Sequence, residues 1–258
     1  MRHSFLDRYS DRHSVIHRRH PGVKLVVTVI FVLAVNITPF LSWRPFLAYL
    51  LILAALAWLA RVPPLYVLKR SLAVMPFVLM VALFLPFFKP GEPAVTVPLG
   101  AWSVSATYQG LAALLTVMAR AWLSMISLVL LISTTRITAL LSGMETLGMP
   151  RVMVMVLSFM YRYIFILTDE VLRLKQARES RDFGGTRLWK LRTLGNIIGS
   201  LFIRSYERGE RVYAAMLSRG FDGSCRASGG TSLRPADTIF TLCLVAAILA
   251  VYLGTHYA

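Results

Sequence analysis

Residues 107–133 read TYQGLAALLTVMARAWLSMISLVLLIS, an apolar run that only one charged residue, Arg120, interrupts. A helix needs about 20 mainly apolar residues to cross the hydrocarbon core of a bilayer. Four further segments come close to that length, namely Val23–Leu41, Trp43–Ala60, Ser71–Phe88 and Thr238–Gly254. The sequence therefore predicts an all-α, polytopic membrane protein with about five transmembrane helices.

The distribution of basic residues predicts the orientation of these helices. The chain has 28 Lys and Arg against 12 Asp and Glu, and cytoplasmic loops carry most of such an excess. Arg44 and Lys89 each stand alone in a connection. The N-terminal segment and the connection between the second and third crossings are rich in basic residues. The first group is Arg2, Arg8, Arg12, Arg18, Arg19 and Lys24, and the second is Arg61, Lys69 and Arg70. We therefore place the N-terminus in the cytoplasm.

A sixth apolar stretch, Val152–Thr168, is interrupted by Arg162 and is followed by a strongly basic region, 173–234. That region stays in the cytoplasm only if the sixth stretch does not cross the membrane. We therefore predict five crossings and three parts. These are a membrane domain with four transmembrane helices (1–133), a cytoplasmic helical domain (134–237) and a final transmembrane helix (238–258).

Two long helices are predicted in the cytoplasmic domain, and they end alike. The first begins after Pro150 and the second covers residues 202–223, with glycines between 195 and 199 breaking the chain before it. The pattern S-R-x-F-x-G occurs at both ends, in residues 180–185 and 218–223. Arg in a last turn and Gly just beyond it are ordinary ways to end a helix, but neither requires the same Ser and Phe. The repeat is thus either an ordinary helix end or a duplicated binding motif.

The sequence lacks the motifs expected of a nucleotide or zinc site. No G-x-x-x-x-G-K-[ST] loop and no zinc-type His or Cys spacing is present, so any nucleotide hydrolysis would belong to a partner. The crossings carry no acidic residue, which argues against transport driven by protons or sodium. We attribute the basic surface to the lipid bilayer rather than to nucleic acid.

Two polar features of the crossings and their flanks need an explanation. His13, His17 and His20 follow helical spacing, but Pro21 comes next and the neighbouring arginines disfavour a cation, so we predict no metal site there. Arg120 lies in the middle of a crossing, where a charge costs about 2.5–3.5 kcal/mol on insertion scales. Its partner should be a carbonyl group, water or another subunit.

Several stretches together resemble one family, the transmembrane T component of energy-coupling factor (ECF) transporters, in its cobalt/nickel branch, CbiQ. The resemblance runs nearly end to end. The stretches that resemble the family are LDRYSDRHSVIHRRHPGVKL (6–25), ARAWLSMISLVLLISTTRITALLSGMETLGMP (119–150), MYRYIFILTDE (160–170) and RSYERGERVYAAMLSRGFDG (204–223).

The resemblance implies two cytoplasmic coupling helices, each of which ends in an X-Arg-X signature that docks on one of two ATPase subunits. The second signature corresponds to Ser218, Arg219 and Gly220, and the first to Ser180, Arg181 and Asp182. Asp182 departs from the small residue expected at its position. Ala177-Arg178-Glu179 is a rival frame for the first signature, although the Phe and Gly downstream favour Arg181.

The implied function is a membrane scaffold of an ATP-driven cobalt or nickel importer in the bacterial cytoplasmic (inner) membrane, linked to cobalamin biosynthesis. Its partners would be two cytoplasmic ATPase subunits and a separate membrane subunit that binds cobalt or nickel. The chain itself would be no enzyme, would bind no cofactor directly and would depend on ATP only through the ATPase.

Two alternatives stay open. One is a T component that serves a vitamin-binding subunit. The other is a polytopic membrane enzyme acting on lipid, for which Asp169 and Glu170 are the available acidic pair. We interpret that pair as helix-surface or helix-crossing contacts.

Overall fold

A computed structural model describes residues 14, 16–17, 19–39, 43–99, 102–180, 187–223 and 235–257. Within these residues the regular secondary structure is helical apart from one hairpin. The elements are α1 (Pro21–Ile37), α2 (Trp43–Leu59), α3 (Pro64–Leu72), α4 (Met75–Ala82), α5 (Leu85–Phe88), β1 (Pro93–Leu99), β2 (Trp102–Thr107), α6 (Tyr108–Thr134), α7 (Ile137–Thr146), α8 (Arg151–Glu179), α9 (Arg187–Leu217) and α10 (Pro235–Tyr257).

The chain divides into two compact units. One unit contains α1 to α6, the hairpin, α7 as far as Gly143, and α10. We call it the membrane unit. The other begins at Met144 and contains α8 and α9, and we call it the two-helix unit. The structural boundary lies within α7, whereas the sequence places the start of the cytoplasmic domain at residue 134.

The helix α6 is the centre of the membrane unit, where α1 to α5 pack against it. The core contains Phe31 and Val35 of α1, Tyr49 and Leu53 of α2, and Leu123 of α6. Phe31 and Tyr49 meet edge to face, with ring centroids 5.6 Å apart. Large apolar side chains on the outer faces are exposed, such as those of Leu51, Trp58, Phe77 and Leu242. An apolar exterior is expected where the surrounding solvent is lipid.

The third predicted crossing is a broken helix. Residues 64–88 form three helical pieces, α3 to α5, each with a proline at its first or second position: Pro64, Pro76 and Pro86. Proline lacks an N–H group and its ring clashes with the preceding turn, so a continuous helix is interrupted there. Ser71 lies at the end of α3 and accepts a hydrogen bond from Trp122 Nε1 of α6 at 3.1 Å. This bond holds the broken segment against the central helix.

The hairpin β1–β2 connects the broken helix to α6 and was not predicted from the sequence. Thr107 joins the end of α5 to the start of α6, because its Oγ1 donates to the carbonyl of Lys89 at 2.8 Å and accepts from Gly110 N at 3.2 Å. A Cβ at Gly110 would lie 2.5 Å from Cα of Pro86. Glycine is therefore required for this close approach.

Four described helical stretches are long and apolar enough to cross a membrane: Pro64–Phe88, Tyr108–Thr134, Arg151–Glu179 and Pro235–Gly254. Helices α1 and α2 are apolar but shorter. The polytopic, all-α membrane class is thereby confirmed, with the small hairpin as an addition. Arg151–Glu179 is long and apolar enough to cross, although the sequence interpretation keeps it in the cytoplasm. The number of five crossings therefore stays a prediction.

In the two-helix unit, α8 has 29 residues and α9 has 31. The α9 helix runs without interruption through Gly195 and Gly199, so the predicted break at these glycines is wrong. Glycine within a helix costs only about 1 kcal/mol relative to alanine. The helix formers on either side outweigh that cost.

Candidate functional site

The end of α9 carries the second predicted signature, and its backbone forms a Schellman motif. Gly220 has φ +77°, the left-handed conformation that glycine adopts without strain. Its N–H bonds to the carbonyl of Leu217 at 3.0 Å, and the N–H of Phe221 bonds to the carbonyl of Met216 at 3.1 Å. Gly220 thus ends the helix and reverses the chain directly after Arg219.

Arg219 is exposed at this tip. No ion pair joins its guanidinium to another residue in the part of the chain that the structure describes. The last carbonyl groups of a helix carry partial negative charge, which stabilises a cation at this position. A guanidinium held there can reach a carboxylate on another protein and bind it through two parallel hydrogen bonds.

The end of α8 is described as far as Ser180, which is the C-cap residue. Its Oγ donates to the carbonyl of Gln176, four residues earlier, at 2.7 Å, and Ser218 Oγ donates to the carbonyl of Ala215, three residues earlier, at 3.0 Å. The serine of the repeat therefore has a local role at both helix ends. Arg181 and Asp182 lie outside the described residues.

The rival arginine, Arg178, lies in the last turn of α8 and is half-buried, whereas Arg219 is exposed. Its Nε is buried. Glu179 of the same frame is paired with Lys175, one helical turn earlier, at 3.8 Å. This environment differs from that of Arg219, and the choice between the two frames stays a prediction.

One member of the acidic pair of the alternative enzyme hypothesis, Glu170, joins two helices. Glu170 Oε1 accepts from Arg204 Nη1 at 2.6 Å, which joins α8 to α9. Only 18% of the Glu170 side chain is exposed. The interpretation of Glu170 as a helix-crossing contact is thereby confirmed.

Exposed apolar side chains follow the length of both helices of this unit. They include Met160 of α8 and Leu191, Ile198, Phe202 and Tyr206 of α9, each more than half exposed. Gly195, Gly199 and Gly209 of α9 have open space where a Cβ would lie. Small residues between large apolar ones allow another helix or a lipid chain to approach the backbone closely.

Arg120 has a protein partner within the membrane unit. Its guanidinium donates to the carbonyl of Thr38, the C-cap residue of α1. Thr38 is fully buried. The carbonyl group is one of the three partners that the sequence left open, and the cation stabilises the negative end of α1.

The described histidines are not arranged as a helical stripe. His17 and His20 precede α1, and His20 Nδ1 accepts from Gly22 N at 3.2 Å as the N-cap of that helix. His13 lies outside the described residues. Among the described residues no group of three His, Cys, Asp or Glu side chains could hold a metal ion.

The fold and these helix ends define a multi-pass helical membrane protein with a separate unit of two long helices. Residues 12–229 match the CbiQ family, described as cobalt transport protein. The chain belongs to this family, which makes it the T component of an ECF transporter of the cobalt/nickel type and a membrane component of a transporter rather than an enzyme.

Three relatives illustrate the similarity. The chain is 30% identical to an uncharacterized protein of Methanocaldococcus jannaschii, over 96% of this chain and 86% of the relative. It is 28% identical to the cobalt transport protein CbiQ of Rhodobacter capsulatus, over 86% and 85% of the two chains. It is 26% identical to the energy-coupling factor transporter transmembrane protein EcfT of Lactococcus lactis, over 86% of each chain.

Proposed function

We propose that this protein is the membrane scaffold that couples ATP hydrolysis by two cytoplasmic ATPase subunits to the movement of a separate membrane subunit that binds cobalt or nickel. The scaffold lies in the cytoplasmic membrane with its N-terminus in the cytoplasm. It consumes no ATP itself and binds no cofactor directly. The cobalt transport name of the Rhodobacter relative supports the metal class, and the energy-coupling name of the Lactococcus relative supports the ATPase partnership.

The observation that carries this proposal is the position of Arg219. It is exposed at the tip of a 31-residue helix and is held there by the Schellman motif. A single cation at the end of a long, stiff element suits a contact that must transmit displacement. A carboxylate in a groove of the ATPase would bind the guanidinium bidentately and exclude water from the pair.

The second docking residue is Arg181, in the repeat at the end of α8. Two identical ATPase copies present the same groove twice, and one chain can fill both grooves only if it carries the docking motif twice. The sequence supplies that duplication in Ser180–Gly185 and Ser218–Gly223. Asp182 places a negative charge beside Arg181 in the sequence, which weakens the binding of this motif to the ATPase relative to the motif at Arg219.

The exposed apolar faces of α8 and α9 are the surface for the metal-binding membrane subunit. Their apolar character suits a partner that is itself embedded in lipid, and the open glycines of α9 permit close backbone contact. The metal then stays on that subunit, and the scaffold supplies only movement.

The test uses Arg219→Glu in the complex co-expressed with its own ATPase and substrate-binding subunits. Charge reversal replaces an attraction with a repulsion, and loss of one partner of a buried, hydrogen-bonded charge pair costs about 2–5 kcal/mol. ATPase retention on the purified membrane chain should therefore weaken at least tenfold. Uptake of Co²⁺ into vesicles should fall with it.

Arg211→Glu is the matched control, because Arg211 lies on the same helix and its ion pair with Glu207 at 3.8 Å is exposed. Exposed pairs contribute about 0–1 kcal/mol, so ATPase retention should be nearly unchanged. Full retention of the ATPase by the double variant Arg181→Glu/Arg219→Glu would refute the proposed docking role.

A further inference from the structure

The chain passes between the two units twice. It leaves the membrane unit after Gly143 and has returned to it where α10 begins at Pro235. The first passage lies within α7, which follows α6, and the second leads into α10. Both passages are held by the same short segment, Arg19–Lys24, in which α1 begins.

Lys24 holds the junction between α6 and α7. Its ammonium donates to the carbonyl of Thr134 at 2.9 Å and to Thr135 Oγ1 at 3.2 Å. A third hydrogen bond, at 3.4 Å, goes to the carbonyl of His17. Lys24 is only 6% exposed. The ammonium thus satisfies a carbonyl group at the end of α6 and stabilises the negative end of that helix.

The far part of α7 is held by direct backbone contact. A Cβ on Gly143 would lie 2.6 Å from N of Gly22 and 3.0 Å from its Cα. Gly143 is therefore packed against the first turn of α1 with no room for a side chain. It is also the last residue of the membrane unit before the chain leaves it.

Arg19 holds the returning chain. Its Nη1 lies 3.5 Å from Oδ1 of Asp237, whose side chain is 4% exposed in the first turn of α10. The guanidinium carbon of Arg19 also lies 5.6 Å from the centroid of the Phe240 ring. A carboxylate in a first turn is stabilised by the helix dipole, and the arginine compensates its buried charge.

We propose that Arg19–Lys24 is an anchor that fixes both passages of the chain to the membrane unit, so that displacement of α8 and α9 is transmitted to that unit. The proposal rests on the proposed function, because it supposes that the ATPases move these helices. Arg19, Gly22, Lys24 and Gly143 are positioning residues, since each acts through the helix that it holds. Lys24 is the most informative of them to replace, because its side chain joins α1 both to the segment before it, at His17, and to the α6–α7 junction.

The test is Lys24→Met in the complete complex, reconstituted in vesicles, with Co²⁺ uptake and ATP hydrolysis measured together. Methionine keeps the apolar stem but donates no hydrogen bond, so the α6–α7 junction is released while both docking arginines stay intact. We expect ATPase retention to be unchanged and hydrolysis to stay within about twofold. The amount of Co²⁺ imported per ATP should fall at least tenfold. Lys24→Arg should recover part of the loss, because a guanidinium can still donate to the Thr134 carbonyl.

Thr28→Val is the matched control. Thr28 is buried one turn further along α1, and among the described residues its Oγ1 donates within the helix, to the carbonyl of Lys24 at 2.8 Å. Its removal should leave the Co²⁺:ATP ratio within about twofold of the wild-type value, since no junction between elements is released.

An unchanged Co²⁺:ATP ratio in Lys24→Met would overturn the anchor, and so would a loss of ATPase retention as large as that of Arg219→Glu. Should Lys24→Met fail to accumulate in the membrane, the same ratio measured on Gly143→Ala decides, since that change separates α7 from α1 without altering charge. Failure of the proposed function is distinguishable: it appears as ATPase retention that is insensitive to Arg181→Glu/Arg219→Glu, whatever Lys24→Met does.

Discussion

The guanidinium of Arg120 and the ammonium of Lys24 each bind the C-terminal end of a helix in the membrane unit. Arg120 donates to the Thr38 carbonyl at the end of α1, and Lys24 donates to the Thr134 carbonyl at the end of α6. In a medium without water, unsatisfied carbonyl groups at a helix end are costly. The two cations therefore serve as caps supplied by neighbouring helices, and their cost in the membrane is offset by the groups they satisfy.

At the residue scale, Gly220→Ala tests whether the backbone at the end of α9 presents Arg219. No atom lies within 4 Å of the position that the new Cβ would occupy, so the change adds no clash, but φ +77° is strained for alanine by about 1–2 kcal/mol. We expect ATPase retention to weaken several-fold, less than with Arg219→Glu. Gly220→Asn should retain more, since asparagine tolerates this conformation.

Gly209→Ala is the control for Gly220→Ala. Gly209 lies inside α9 and also has open space around it, so alanine there favours the helix. Equal losses in the two variants would mean that added bulk, rather than backbone conformation, weakens the contact with the ATPase.

At the element scale, α9 is a helix whose glycines lower its own stability. Gly195 and Gly199 lie in its first half, exposed and with open space around them. Replacement of each by alanine should stabilise the helix by about 1 kcal/mol. The double variant should raise the thermal unfolding midpoint of the purified chain. An unchanged or lower midpoint would contradict the assignment of both positions to an uninterrupted helix.

The same double variant separates stability from function. If a membrane subunit packs against the glycine face of α9, the two methyl groups obstruct it and Co²⁺ uptake should fall while the midpoint rises. Unaltered uptake would place that subunit elsewhere on the two-helix unit.

At the scale of the whole molecule, the side of the membrane on which α8 begins decides the topology. Single cysteines at Gly91, Thr146 and Asp222, introduced after removal of Cys225 and Cys243, report the connection before β1, the last residue of α7 ahead of α8, and the connection after α9. With five crossings, a reagent that does not permeate the membrane should label position 91 from outside and positions 146 and 222 only from inside. The basic region after α8 supports this orientation.

Labelling of positions 146 and 222 from opposite sides would show that α8 crosses the membrane, as its length and composition allow. Parallel labelling of the chain that lacks Cys225 and Cys243 and carries no introduced cysteine controls for reaction at groups other than the introduced thiol.

Part of the fold was predictable because it depends on local composition. The apolar runs predicted the membrane class and placed α2, α6 and α10 close to their observed bounds. The Gly-Met-Pro sequence at 148–150 marked the start of α8. The hairpin was missed because two short strands between crossings resemble a loop, and α9 was predicted too short because a glycine signals a break only when nothing outweighs its cost.

The residues of the candidate site and its surroundings likewise divide into those that the sequence identified and those whose contacts only the tertiary structure showed. Repetition and resemblance single out Arg219 and the glycine after it, because a helix end is a local structure with a local sequence signature. The sequence also determined the sign of the charge around α1, and it left Arg120 with a short choice of partners. Only the tertiary structure decided which partner Arg120 has and that Arg19 and Lys24 hold distant helices. Lys24 and Thr134 are 110 positions apart, and contacts at such separation follow from how helices pack against one another rather than from any pattern along the chain.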